Sequence, residues 1–188
     1  MMRKKMKKII LISALFFMIS CKSQKSTHNN NCDVSETENL KAFDSLYTNL
    51  DTTQVFKNKL KEFGNNKTGV LFCQFPANMK HGKFTEIKAI NDKLIYYNSN
   101  ENQILLNDSE IEVLSSGIRS INKKYYYEQC GEYISDDTFY LMLIKRDGNI
   151  VAKYFTDGKL SFKKTERNLN LNTLKDILEI MYRNSFKN

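Results

Sequence analysis

Apolar residues fall into three regimes along the chain. Residues 9–19 are uncharged and almost continuously apolar, residues 22–33 contain no aliphatic or aromatic side chain, and from Ser35 onward apolar positions recur with helical or strand period. Ser35-Glu36-Thr37-Glu38 has the form of a capping box, and Leu40, Phe43, Tyr47 and Leu50 follow at three- and four-residue steps, which predicts a helix. Val55, Phe56, Leu60 and Phe63 predict a second helix, stopped at Gly64, so the two form a helical hairpin. The run 69–75 reads as a buried strand closed by Pro76, whereas 77–92 follows neither period. Short strands are expected at 93–97, 103–106 and 110–114. Residues 138–145 and 149–155 flank Asp147-Gly148, a hairpin signal. Asp157-Gly158 repeats that signal, and Leu160 and Phe162 alternate on a third strand. A final helix over 172–184 places Leu174, Ile177, Leu178 and Met181 on one face. The expected class is α+β: an antiparallel sheet with a C-terminal meander, packed by an N-terminal helical hairpin and a C-terminal helix.

Charge changes the picture less than its total suggests. The formal net charge is +8, but Arg3, Lys4, Lys5, Lys7 and Lys8 precede the apolar run with no acid among them, and without these five the balance is 24 basic to 21 acidic residues. A near-balanced remainder gives no electrostatic footprint for nucleic acid, which is not an expected partner. The apolar run is shorter than the roughly 20 residues a membrane helix needs and matches a signal-peptide h-region.

Immediately after it stands Met18-Ile19-Ser20-Cys21. This tetrapeptide resembles the lipobox of bacterial lipoproteins, with Met18 in a place where leucine is commoner. The resemblance covers residues 1–21 only. It implies that Cys21 receives a diacylglycerol and becomes the first residue after cleavage, so that 1–20 is a lipoprotein signal peptide. Residues 21–34 are then a lipidated flexible tether and 35–188 a single domain. It also implies that the chain partners the membrane through its N-terminal lipid. Lys22, where an acid would favour inner-membrane retention, makes the outer membrane the expected address, on a periplasmic or surface face. The abundance of lysine and asparagine is similar to that of Bacteroidota proteins.

Three cysteines remain. Cys32 sits in the polar stretch with His28, and two such residues on a tail do not make a metal site. An envelope protein can keep a disulfide, and three thiols allow one bridge. Cys73 with Cys130 is the expected pair; the alternative is two buried free thiols.

Candidate chemistry is sparse. His81 is the one histidine after the tether, and no GxSxG, HExxH or Walker pattern occurs. No catalytic residue, metal or cofactor is therefore expected. Asp44, Glu62 and Glu86 read as ordinary helix or surface charges, while Asp136 and Asp137 are the acids an envelope hydrolase would use. The segment asking for a functional reading is Lys123-Lys124-Tyr125-Tyr126-Tyr127, continued by Tyr133. Tyrosines beside lysines suit recognition of a protein or a glycan. The expected role is non-catalytic binding at the envelope, an immunity-type lipoprotein included. Fatty-acid labelling in cells is expected to mark the native chain and to vanish in Cys21→Ser; label retained in the variant contradicts the lipobox.

Overall fold

The computed structural model describes residues 32–47, 54–76, 82–130 and 138–187. Cys21, His28, His81, Tyr133, Asp136 and Asp137 lie outside them. Among the described residues are eight strands: β1 (Cys32–Thr37), β2 (Gly69–Phe75), β3 (Lys83–Ile90), β4 (Lys93–Tyr97), β5 (Gln103–Ile104), β6 (Lys124–Cys130), β7 (Phe139–Arg146) and β8 (Asn149–Gly158). The α-helices are α1 (Gln54–Gly64), α2 (Asp108–Ser120) and α3 (Leu169–Asn184). The strands form one sheet in the order β1-β6-β8-β7-β2-β3-β4-β5. All neighbours are antiparallel except β6 and β8, which run parallel. The class is α+β, with a mixed, mostly antiparallel sheet.

The expected helical hairpin is not found. Its second helix is α1, but Ser35-Glu36-Thr37 lies in β1, paired with Tyr127, Tyr126 and Tyr125. Among the described residues, only a 3-10 turn, Asp44–Tyr47, stands where the first was expected. A capping box satisfies two amides, whereas the six-residue ladder to β6 engages a whole segment and shields an edge of the sheet. Cys32, Asp33 and Val34, inside the stretch expected to be tether, thus belong to β1.

Residues 110–114 lie in a helix rather than a strand. Asn107 Oδ1 accepts from the Glu110 amide at 2.9 Å, and Glu110 Oε2 accepts from the Asn107 amide at 3.0 Å. This reciprocal capping box starts α2, and Leu114, Gly117 and Ile118 then form its buried face. Gly117 lets α2 approach α3 closely, since a Cβ there would lie 3.0 Å from Ile177 Cδ1. The hairpin at Asp147-Gly148 forms as expected, both residues having positive φ (51° and 82°), the twist that suits paired strands. Asn91 and Asp92 do the same between β3 and β4, with φ of 49° and 62°. The expected third meander strand is absent, and 159–165 runs irregularly toward α3.

Every residue of β2 is buried, so the sheet is covered on both faces. Val70, Phe72, Met142, Ile144 and Tyr154 pack under α2 and α3 on one side. Leu71, Cys73, Phe75, Leu141 and Phe155 pack with Phe56 and Phe63 of α1 on the other.

The disulfide joins Cys32 to Cys130, not Cys73 to Cys130. Cys73 is a fully buried free thiol, and burial pushes it far above the ordinary thiol range. The reason is position: Cys73 points into the α1-side core, whereas Cys32 and Cys130 are direct partners in the β1–β6 ladder. The bridge closes a loop of 98 residues, which constrains the unfolded chain by about 4–5 kcal/mol in the chain-entropy account. Cys130→Ser is expected to lower stability by about that amount in denaturant titration. Thiol titration of the chain from Lys22 onward should find its one free thiol only after unfolding. A stability change under 1 kcal/mol, or a thiol reactive in the native state, contradicts this arrangement.

Candidate functional site

Strand β6 carries Tyr125, Tyr126 and Tyr127 of the tyrosines singled out in the sequence, and it buries the first two; Tyr133 lies outside the described residues. Tyr125 and Tyr126 are 1% and 0% exposed. Strands on both sides and packing on both faces absorb them. Tyr126 receives the Asn170 side-chain amide at 2.8 Å and donates to Asn168 Oδ1 at 3.4 Å. Tyr127 lies 5.8 Å, centroid to centroid, from Phe155 and Phe43. Its hydroxyl donates to Asp157 at 3.0 Å; burial and that carboxylate push it up to about 12. Lys124 sits 3.7 Å from Glu36 and 3.6 Å from Glu38 on the neighbouring strand region. Lys123 is exposed.

Below the tyrosines lies a closed polar cluster. Lys175 of α3 and Glu128 of β6 form an ion pair at 2.6 Å with side chains 3% and 2% exposed. Tyr154 donates to the same carboxylate at 2.5 Å, and Lys175 also donates to the Lys163 carbonyl at 2.8 Å. Glu128 lies within 4.8 Å of both disulfide sulfurs. Those sulfurs are bonded to each other, so the trio is not a metal site. Burial, then the Glu128 charge, push the Tyr154 hydroxyl far above its ordinary value. Almost fully buried, the cluster joins helix, sheet and loop.

The open site lies on the α1 side of β3 and β4. Period-two alternation puts Phe84, Glu86, Lys88 and Ile90 of β3 on that face, and α1 brings Lys59 and Glu62 alongside. Together with Tyr97 and Glu101 they line a groove of about 440 Å³. A neighbouring hollow of about 290 Å³ continues it past Val55 and Asn58. The Asn98 side chain shapes one end by accepting the Asn100 and Asn102 amides, both at 2.9 Å. Lys59 Nζ stands 3.2 Å from Glu62 and 3.4 Å from Glu101. Burial alone would lower its ammonium's pKa, but these carboxylates, with Glu86 behind them, hold it above 10.5. Lys59 is therefore cationic throughout the neutral range. Glu86, nearly buried, accepts from the Asn66 side chain and pairs with Lys88 at 3.4 Å. Lys88 also lies 5.2 Å above the Tyr97 ring. Val55 and Ile90 stand at the rim, 62% and 41% exposed.

Glu62 and Glu86, ordinary surface charges in the sequence reading, are thus two of the groove's organising residues. Their convergence comes from α1 packing across β3, and the period-two pair Glu86/Lys88 was the only local signal. Asp44, dismissed with them, pairs with Lys153, which is 3% exposed. The groove's carboxylates are engaged by lysines or an amide, and among the described residues neither cysteine nor histidine lines it.

Lys175→Met is expected to cost about 3–5 kcal/mol, because it leaves Glu128 buried and unpaired. Adding Glu128→Leu should restore most of that loss in a double-mutant cycle by denaturant unfolding. Additive losses would contradict a paired cluster. No protein-family model, curated protein or solved structure matches the chain.

Proposed function

We propose that this protein is a lipid-anchored lipoprotein of the bacterial cell envelope, on the outer membrane, that binds another protein through the α1–β3–β4 groove without catalysing a reaction. The observation that carries this reading is the placement of the groove relative to the anchored end. Cys32, eleven positions after Cys21, is bonded into the β1–β6 edge. Even fully extended, eleven residues reach no more than about 40 Å, which bounds how far that edge stands from the lipid. The groove begins at β3, five strands across the sheet, or about 24 Å further at ordinary strand spacing.

A disulfide in the fold agrees with an oxidising compartment outside the cytoplasm. Alternating lysine and glutamate, with Val55 and Ile90 at the rim, suits a polypeptide of mixed charge better than a uniformly charged polymer. An immunity-type role, in which the lipoprotein covers an incoming toxin, falls within this class. The rival reading, a hydrolase using Asp136 and Asp137, rests on two residues that lie outside the described ones.

A photo-crosslinking residue placed at Ile90 in intact cells is expected to give a discrete adduct. The same residue at Glu179, exposed on α3, should give none. Adducts identical at both positions, or absent at Ile90, would overturn the proposal.

A further inference from the structure

The opposite face of the sheet carries a second, chemically different opening. Where α3 ends, a cleft of about 410 Å³ lies between Thr138 and Tyr140 at the start of β7, Lys159, Leu160 and Phe162 after β8, and Tyr182 of α3. Its walls are set before any ligand arrives. Tyr140 stacks on the buried ring of Phe72 at 6.1 Å and 8°. Tyr182 stands at 71° to Tyr140, with Phe162 5.6 Å away and tilted by 50°. The irregular stretch that carries Lys159 and Phe162 is pinned further along. Lys175 donates to the Lys163 carbonyl at 2.8 Å, and the Asn172 side chain both donates to the Thr165 carbonyl, at 2.6 Å, and accepts its amide, at 2.8 Å. A preformed cleft loses little freedom on binding, which favours a small ligand.

The lining selects the ligand's chemistry. Rings at steep angles offer flat apolar faces on more than one side. The Thr138 hydroxyl adds a polar group, and among the described residues the one charged side chain in the lining is Lys159, with no described carboxylate opposing it. A cation among these rings would be repelled by Lys159. A flexible aliphatic chain would leave hydroxyl and ammonium unused. A pyranose presents axial C–H groups to aromatic faces and hydroxyls at its edge, and a carboxylate on it would meet the ammonium.

We propose that this cleft binds an acidic sugar, a pyranose ring bearing a carboxylate. The site is separate from the groove and stands or falls independently of it. Titration calorimetry on the full chain in detergent, with glucuronate as probe and glucose and benzoate as comparators, tests it. Glucuronate is expected to bind one to one, and to bind about tenfold more weakly to Lys159→Met, the worth of one charge-assisted contact. Glucose should bind the native chain with the same deficit, since it lacks only the carboxylate. Lys159 is exposed, so that variant keeps the fold. Phe162→Ala, checked by circular dichroism, should lose both sugars. No glucuronate binding to the native chain, unchanged affinity in Lys159→Met, or benzoate binding as tightly as glucuronate would each overturn the proposal.

Discussion

Strand β2 has no solvent-facing side, and the rest of the molecule follows from that constraint. Val70 and Phe72 must be covered on one face and Leu71, Cys73 and Phe75 on the other. The chain meets this unequally. Two helices, α2 and α3, cover one face. On the other, α1 has eleven residues, about 16 Å of helix, laid against eight strands that span about 34 Å. One short helix cannot cover that width. The segment after β1 covers the β6–β8 end, where Phe43 packs on Tyr127 and Lys153 donates to the Leu40 carbonyl at 3.0 Å. Among the described residues, what stays open is the β3–β4 end, and there polar and charged side chains replace apolar ones. The groove is the uncovered remainder of a wide sheet under a narrow layer.

Buried charges fix how the layers meet. Glu110, 4% exposed, caps α2 and receives Arg183 at 2.9 Å and Asn184 at 3.0 Å from α3. Burial alone would raise its carboxyl, but the Asn184 amide, the Asn107 amide and Arg183 outweigh it and hold the pKa below the ordinary 4.5. A depressed carboxyl stabilises the fold above its unfolded value and loses that contribution as pH falls through the folded one. Glu128 and Lys175 do the corresponding work between β6 and α3. Ion pairs of this kind add little net stability against apolar replacements, and their effect here is to specify one arrangement of helix on sheet.

Much of this was legible wherever one local signal decided the outcome. The continuous apolar run made β2, Asp147-Gly148 made its hairpin, and the three- and four-residue spacing made α1 and α3. Errors arose where a local signal competed with a distant one. Ser35 and Glu38 satisfied a helix-cap pattern, yet β6 offered Ser35, Glu36 and Thr37 a ladder and Cys130 offered Cys32 a bond. Asn107 and Glu110 carried a capping box that a strand reading of 110–114 obscured. The cysteine pairing was hidden because Cys32 sits among polar residues resembling a tail, while Cys73 looked structurally central and was too central to reach a partner. Three successive tyrosines resembled a binding strip because nothing local shows that β6 lies between β1 and β8. The groove and the aromatic cleft were illegible for the same reason, each being assembled from three or four separated segments.

The central claim is that one edge of the sheet is held at the membrane and the groove is carried away from it. It is tested most directly by collisional quenching in proteoliposomes of the lipidated protein, with a quencher on the lipid headgroups and a fluorophore at either Ser35 or Ile90. The account predicts strong quenching at Ser35 and weak quenching at Ile90. Equal quenching at the two positions, or stronger quenching at Ile90, would contradict it.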